Sequence, residues 1–184
     1  MALIPVIETS RLRLRSYRVE DLEPASEIWS DEPVFRFLGR PFTREEVWMR
    51  LLRYVGHWEL LGYGFWAIEE KATGCFIGEG GICDFKREIT WPAGVSAEDA
   101  TREIGWALSA AHHGRGLATE AVEAMTQWAD RHFDTARTIC IINPANLPSL
   151  RVAQKCGYAD IGSVQYKEND LRIFARPPTE SEQK

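Results

Sequence analysis

The stretch that decides the fold is residues 103–120, Glu103-Ile-Gly-Trp-Ala-Leu-Ser-Ala-Ala-His-His-Gly-Arg-Gly-Leu-Ala-Thr-Glu120. It begins with an apolar run that is typical of a strand, and Gly114-Arg115-Gly116 then opens an amphipathic helix. The first turn of a helix leaves backbone N–H groups without partners at the positive end of its dipole. Because the two glycines carry no side chain, an anion can reach these donors. The stretch therefore predicts an anion-binding turn between a strand and a helix.

Two familiar phosphate-binding patterns do not fit this turn. The Walker pattern requires Gly-Lys-Ser/Thr, which occurs nowhere in the chain. The dinucleotide fingerprint requires a third Gly or Ala where Thr119 stands, in the first strand–helix unit of an alternating fold. A tight turn without any ligand is equally compatible with one Gly-x-Gly. The turn by itself therefore leaves the anion open.

A second strand–loop–helix segment follows at residues 138–158. Thr138–Ile142 is an apolar run that predicts a buried strand, and a polar loop with two Asn and two Pro residues comes after it. We expect a short helix to begin near Pro148 and to end at Gly157, since Pro favours the first helical turn and Gly the position after the last.

These segments together resemble the GNAT-type N-acetyltransferases, and the RimJ/RimL branch in particular. His113-Gly-Arg-Gly-Leu-Ala118 is similar to their loop for the pyrophosphate of acetyl-coenzyme A. Asn146-x-x-Ser149 and Lys155-Cys-Gly-Tyr158 resemble their second motif. The opening Glu8-Thr-Ser-Arg-Leu-Arg-Leu-Arg15 and the strand from Glu103 carry the likeness to RimJ/RimL proteins.

The resemblance covers residues 7–176 and implies the fold. It implies an α+β architecture, with a mixed, mostly antiparallel sheet of about six or seven strands and helices on both faces. In such proteins two central strands splay apart into a V-shaped slot for the pantetheine arm. We expect residues 1–176 to be a single N-acetyltransferase domain and residues 177–184 to be a disordered tail.

The resemblance also implies which residues bind the cofactor. Strand and turn would bind it mostly through backbone groups, with pantetheine as a pseudo-strand, and Asn146 through its side chain. The predicted cofactor-binding residues are Trp106, Ala107, Leu108, His113, Gly114, Arg115, Gly116, Leu117, Ala118, Thr119, Asn146 and Ser149. His113 stands where the superfamily usually has Gln or Arg. Arg115 is either a charge-assisted contact to phosphate or a solvated charge at the start of a helix.

Ser149 and Glu103 are the predicted catalytic residues. Relatives often carry a Tyr four residues after the Ser149 position that protonates the departing thiolate, but this chain has Ala153 there. Ser149 would hydrogen-bond the sulfur, or it satisfies backbone groups in the first helical turn. Glu103 would act as a base through a water molecule, or it points to solvent or a structural pair. A strand N–H near Leu108 would hold the carbonyl oxygen of the thioester.

The sequence leaves the acceptor open. At pH 7 about a tenth of an α-amine is neutral, against well under a thousandth of a Lys side chain, so an N-terminal amine needs little help from a base. An early group of large apolar residues could line an acceptor pocket, although aromatic residues at helical spacing are more often plain core. These residues are Trp29, Phe35, Phe37, Leu38, Trp58 and Trp66.

Composition agrees with a cytoplasmic enzyme. A chain of 184 residues with 45% hydrophobic content supports one domain with a core. A net charge of −5 without a Lys/Arg stripe disfavours nucleic-acid binding. Residues 1–7 are not typical of a signal peptide, and no stretch is apolar enough to span a bilayer. The four cysteines predict reduced core thiols, and neither they nor the adjacent His112 and His113 predict a metal site.

The sequence therefore predicts a metal-free N-acetyltransferase that moves an acetyl group from acetyl-coenzyme A to a primary amine. The acceptor is a protein or peptide N-terminus or a small-molecule amine, and no nucleic acid or membrane partner is expected. Many relatives form homodimers, which the sequence alone does not decide. Two alternatives stay open. One is a catalytically silent acyl-coenzyme A sensor, favoured by the missing Tyr, and the other is an unrelated nucleotide enzyme that uses the Gly114 turn.

Overall fold

The computed structural model describes residues 3–133 and 137–177, so the predicted tail beyond residue 177 lies outside the described residues. The strands are β1 Ile7–Glu8, β2 Leu12–Arg15, β3 Phe65–Glu70, β4 Phe76–Cys83, β5 Glu103–Leu108, β6 Thr138–Ile142, β7 Ala159–Tyr166 and β8 Asn169–Arg176. The helices are α1 Leu22–Ser30, α2 Glu32–Phe35, α3 Arg44–Leu61, α4 Ala97–Ala100, α5 Leu117–His132 and α6 Leu147–Lys155.

The strands form one sheet in the order β1-β2-β3-β4-β5-β6-β8-β7. Its recorded pairs are antiparallel, except that β5 and β6 pair in parallel at Glu103 and Ile139. This confirms the predicted mixed, mostly antiparallel sheet. The described chain has eight strands instead of six or seven, because a two-residue β1 pairs with β2. Two residues are too few to show the alternation by which strands are predicted.

The chain divides into two compact units. The first comprises the chain up to Gly81 together with Trp106–Ala121, and the second comprises Ile82–Gly105 together with the chain from Val122. Strand β5 and helix α5 each contribute residues to both units. The expectation that residues 1–176 form a single domain stays a prediction.

In the first unit, α3 begins and ends where the sequence indicates. Thr43 Oγ1 accepts from Glu46 N at 3.2 Å and the Glu46 carboxylate accepts from Thr43 N at 2.8 Å, which closes a capping box. Gly62 ends the helix in the left-handed conformation, with φ 74°. The buried residues of α3 are Val47, Leu51, Tyr54 and Trp58. Leu61, the last residue of the helix, is exposed.

Aromatic rings fill the core of the first unit. Trp58 meets Trp66 edge to face with ring centroids 4.8 Å apart, and Trp29 meets Phe42 in the same way at 5.2 Å. All three tryptophans are buried. The core interpretation therefore holds for them. Leu38 is exposed, whereas Phe35 and Phe37 are partly buried.

In the second unit, the hairpin of β7 and β8 turns at Lys167-Glu168. Buried apolar side chains of β6, β7 and β8 form its core, with Trp91 packed against them. Helix α4 forms in the segment that connects β4 to β5. Ser96 caps this single turn, since its Oγ accepts from Asp99 N at 3.0 Å.

The four cysteines, all within the described residues, form no disulfide bond, and three of them are buried as expected. Cys75 is exposed, so the prediction of a core thiol is wrong there. The reason is that β4 begins one residue later, which leaves Cys75 in the hairpin turn. Over residues 3–133 and 137–177, no three His, Cys, Asp or Glu side chains are grouped as a metal site requires. No helix in that part of the chain combines the length and apolar character needed to cross a membrane.

Candidate active site

The predicted anion-binding turn connects β5 to α5 within the first unit, through a short 3-10 turn. Gly114 and Gly116 both adopt the left-handed conformation, with φ of 73° and 76°. Any other L-residue held there is strained by roughly 1–2 kcal/mol. A Cβ built on Gly114 would have no atom within 4 Å. The turn is therefore shaped by its glycines and is open to solvent.

The backbone donors of the turn have no partners. The first bond of α5 runs from Glu120 N to Gly116 O at 3.1 Å, which makes Gly116 the residue that precedes the helix. Among the residues that the structure describes, the N–H groups of Gly114–Ala118 meet no acceptor. Leu117 nevertheless buries its side chain completely and so anchors the turn. The result is an exposed row of donors at the positive end of a helix.

Two side chains of the turn contact other parts of the first unit. Arg115 Nη2 donates to Glu70 Oε1 at 2.7 Å, and this hydrogen bond lowers the pKa of Glu70. Arg115 is thus ion-paired and only half exposed, which differs from a freely solvated charge. His113 Nε2 lies 2.9 Å from Leu108 O. Because a carbonyl oxygen only accepts, His113 Nε2 carries the proton.

Strand β5 supplies the remaining predicted cofactor residues of the first unit. Trp106 and Ala107 are partly buried, and Leu108 is buried. Gly78 of β4 approaches them closely, since a Cβ there would lie 2.3 Å from Ala107 O and 2.9 Å from Leu108 Cα. A glycine is required for two backbones to come this near. Thr119, the last predicted contact of the turn, is partly buried in α5.

A third part of this region comes from the connection between β1 and β2. Arg11 Nη1 donates to Arg115 O at 2.8 Å, and Arg11 Nε donates to Glu120 Oε2 at 2.6 Å. Glu120 Oε1 accepts from Thr9 Oγ1 at 2.6 Å, Ser10 Oγ at 3.0 Å and Arg11 N at 2.9 Å. In the sequence, residues 9–11 indicate only a family resemblance. Spacing gives no signal for this contact, because Arg11 and Glu120 are 109 positions apart.

Asn146 and Ser149 belong to the second unit. Asn146 Oδ1 accepts from Ser149 N at 3.2 Å and so caps α6, while Asn143 Oδ1 accepts from Ala145 N at 2.9 Å. Within residues 3–133 and 137–177, Asn146 Nδ2 and Ser149 Oγ form no hydrogen bond. The Ser149 hydroxyl therefore does not serve the backbone. Ala153, where relatives often have Tyr, is completely buried.

Glu103 is a buried residue of the second unit with a firm partner. Its two carboxylate oxygens accept from Arg87 Nε at 2.6 Å and Nη2 at 2.7 Å. Burial raises the pKa of Glu103, and the Arg87 guanidinium opposes that shift. The structure thus contains the structural pair that the sequence left open. Tyr158 is also buried in the core, with its hydroxyl 2.6 Å from Thr138 Oγ1.

Known proteins share this sequence pattern. A model of the acetyltransferase (GNAT) domain matches residues 11–159. The curated protein named "Uncharacterized N-acetyltransferase p20", from Bacillus licheniformis, is 26% identical over 156 residues. That alignment covers 84% of this chain and 82% of the relative.

Solved structures share the fold. The acetyltransferase from Agrobacterium tumefaciens superposes with a TM-score of 0.76 at 25% identity, over 94% of each chain. RimL, a ribosomal L7/L12 alpha-N-protein acetyltransferase in complex with coenzyme A, superposes with a TM-score of 0.72. Its identity of 14%, over 94% of this chain and 98% of that one, indicates a common fold alone. Because the domain match spans most of the sequence, the chain belongs to the GNAT acetyltransferase family.

Proposed function

We propose that the chain is an N-acetyltransferase of the RimJ/RimL type, which moves an acetyl group from acetyl-coenzyme A to a primary amine. The observation that carries the proposal is the row of unpartnered N–H groups over Gly114–Ala118, in a member of the GNAT family. A diphosphate supplies the negative charge and the acceptors that such a row lacks. Coenzyme A is the diphosphate compound found with the RimL protein named above.

The parts of the cofactor would be divided among the predicted residues. The turn would bind the diphosphate through its backbone, and Trp106–Leu108 would pair with the amides of pantetheine as a neighbouring strand does. Asn146 would donate through Nδ2, because its Oδ1 is already engaged in the cap of α6. Arg115 would add a charged contact only by sharing its guanidinium with Glu70.

The proposed reaction is a direct transfer. The nitrogen of a neutral amine attacks the thioester carbon, and a strand N–H near Leu108 stabilises the developing oxyanion. The C–N bond forms, the C–S bond breaks, and the thiolate leaves. The nitrogen loses one proton and the sulfur gains one. Ser149, whose hydroxyl has no described partner, would donate a hydrogen bond to that sulfur.

Glu103 is the base in this proposal and would act through a water molecule. Its alternative is a purely structural pair with Arg87. Glu103→Gln separates the two roles, since it keeps the shape but removes the proton acceptor. Loss of a base lowers kcat and abolishes the limb of the pH–rate profile that it controls. Loss of a structural pair lowers the melting temperature and leaves that profile unchanged.

The proposed acceptor is the α-amine of a protein or peptide N-terminus, or a small primary amine. An α-amine is favoured because about a tenth of it is already neutral at pH 7, so it makes the smallest demand on a base. We expect the enzyme to work in the cytoplasm, where its thiols stay reduced, and without a metal.

The decisive experiment is an acceptor panel. The full chain would be incubated with acetyl-coenzyme A and with N-terminal peptides, polyamines, aminoglycosides and amino acids, and thiol release would be recorded. At least one amine should release coenzyme A above the rate without acceptor. Binding of acetyl-coenzyme A without thiol release from any acceptor would instead favour the catalytically silent sensor. That alternative is supported by the buried Ala153, which stands where relatives often have a catalytic Tyr. Thermal stabilisation by ATP or NAD, with none by coenzyme A, would favour an unrelated nucleotide enzyme.

A further inference from the structure

The Glu120 carboxylate lies in the first turn of α5, beside the unpartnered N–H groups. A carboxylate in the first turn of a helix is attracted to those donors and would compete with an incoming anion. Here four hydrogen bonds of 2.6 to 3.0 Å, from Thr9, Ser10 and Arg11, occupy both of its oxygens. The carboxylate of the first turn is therefore held by another part of the chain.

The same contacts keep Glu120 ionised and Arg11 in place. Burial by itself raises the pKa of Glu120, but the hydrogen bonds from Thr9 and Arg11 outweigh it and bring the value to about 2. Arg11 is 48% exposed, and an exposed ion pair alone gains little from one contact. Because the Arg11 guanidinium also donates to Arg115 O, its planar fork is fixed at two points.

The contact with Arg115 O sets the direction of a backbone donor. The carbonyl of Arg115 and the N–H of Gly116 belong to one planar trans peptide, so they point in opposite directions. With its oxygen directed to Arg11, this peptide must direct the Gly116 N–H away from Arg11. Arg11 Nη2 lies only 3.6 Å from the position where a Cβ on Gly116 would stand. Arg11 therefore covers one face of Gly116, and the donor is presented on another.

We propose that Arg11, anchored by Glu120, is a positioning residue that fixes the Gly114–Gly116 turn for the diphosphate of coenzyme A. The proposal rests on the proposed function, because it takes the diphosphate from that cofactor. It assigns Thr9-Ser10-Arg11 a role in binding the acetyl donor, in addition to their structural position next to β2. The two glycines allow the turn, and Arg11 selects the orientation of its peptide.

The test compares two acetyl donors in Arg11→Ala and in the wild-type chain. Acetyl-coenzyme A carries the diphosphate, and S-acetylpantetheine does not. Arg11→Ala should raise the Kd for coenzyme A and the KM for acetyl-coenzyme A about tenfold, which is the size of one lost charge-assisted hydrogen bond. The kcat at saturating acetyl-coenzyme A and the kcat/KM for S-acetylpantetheine should stay unchanged. Arg11→Lys should show an intermediate rise in Kd, since it keeps one charge but not the fork.

Arg13→Ala is the matched control. Arg13 is similarly exposed and ion-paired, but with Glu8 and Glu69 instead of the turn, so it should leave the Kd for coenzyme A unchanged. An unaltered Kd in folded Arg11→Ala would overturn the proposal, and so would equal losses with both donors. If Arg11→Ala does not fold, Arg11→Lys decides by the same ratio of donors. Failure of the wild-type chain to bind coenzyme A would instead refute the proposed function itself.

Discussion

The N-termini of helices α5 and α6 differ in their capping, although each helix follows a strand of the sheet. At α5 the glycine turn provides no side-chain acceptor, and the N–H groups of Gly114–Ala118 have no partner among the described residues. At α6 the Asn146 side chain accepts from Ser149 N at 3.2 Å and closes the helix end. Helix dipoles are common to both. A helix N-terminus is therefore available to an anion where no side chain of the protein caps it.

Two other helices support this distinction. Thr43 caps α3 and Ser96 caps α4, each through a hydroxyl that accepts a backbone N–H three residues later. In α5 the acidic residue of the first turn, Glu120, is turned toward Thr9–Arg11 instead. The open end of α5 therefore results from two sequence features, namely glycine before the helix and a distant partner for its first carboxylate.

The largest expected effect comes from closing the open end with a side chain. Gly116→Val places a β-branched residue at φ 76°, which costs roughly 1–3 kcal/mol, and it also narrows access to the donors. We expect the Kd for coenzyme A to rise by about 100-fold by calorimetry. Gly39→Val is the matched control, because Gly39 has φ 96° and open space around it but lies outside the turn. Equal affinity in Gly116→Val and wild type would contradict the assignment of the turn.

The closed end of α6 should contribute a side chain to the reaction. Ser149→Ala removes a hydroxyl that has no hydrogen bond in the described structure, while Asn146 can still cap the backbone N–H. We expect kcat to fall about tenfold to 100-fold with the Kd for coenzyme A unchanged, because the hydroxyl would assist only the departing sulfur. Stopped-flow or steady-state thiol release measures this. Unchanged turnover would remove Ser149 from the mechanism.

Two substitutions of Asn146 distinguish its role as the cap of α6 from its proposed role in binding coenzyme A. Asn146→Ala should lower the free energy of unfolding by about 1 kcal/mol through loss of the cap. It should also weaken coenzyme A binding about fivefold, since the Nδ2 donor is lost. Asn146→Asp keeps an acceptor for Ser149 N but has no donor, so it should restore stability and not affinity. Recovery of both by Asp would show that Asn146 is a cap alone.

The glycine turn before α5 was predictable from local sequence because its backbone conformation has a local cause. Glycine at 114 and 116 is required by the left-handed backbone, and the following amphipathic pattern marks the helix. The capping box at Thr43 and the helix end at Gly62 were predictable for the same reason. Where a conformation requires one residue type, the sequence alone predicts it.

The contacts between distant segments were not predictable. Two such contacts are the hydrogen bonds of Arg11 with Glu120 and of Arg87 with Glu103. They depend on which segments of the chain become neighbours in the fold. Residue spacing does not reveal such neighbours, and an arginine in a loop has the same sequence signature whether it faces solvent or a carboxylate. Thus the glycine turn was predictable from sequence, but the side chains that contact it, and the partner of Glu103, required the fold.

We expect a small pH dependence of the stability that Glu120 contributes at the open end of α5. The pKa of Glu120 is lowered to about 2, so its stabilising contacts are fully present above the unfolded value near 4.5. They are lost as the pH falls from there toward 2. Glu120→Gln should therefore lower the melting temperature by about 2–4 °C above pH 5, and this gap should shrink toward pH 3.

Glu46→Gln provides the control at a closed end. Glu46, in the capping box of α3, also has a pKa lowered to about 2, chiefly by its hydrogen bond with Arg40. Its variant should lose stability with the same pH dependence but bind coenzyme A like wild type. Glu120→Gln should weaken that binding severalfold as well, because a neutral amide holds the Arg11 guanidinium less firmly than a carboxylate does. If both variants bind coenzyme A equally well, the Glu120 carboxylate stabilises α5 without helping to keep its first turn open.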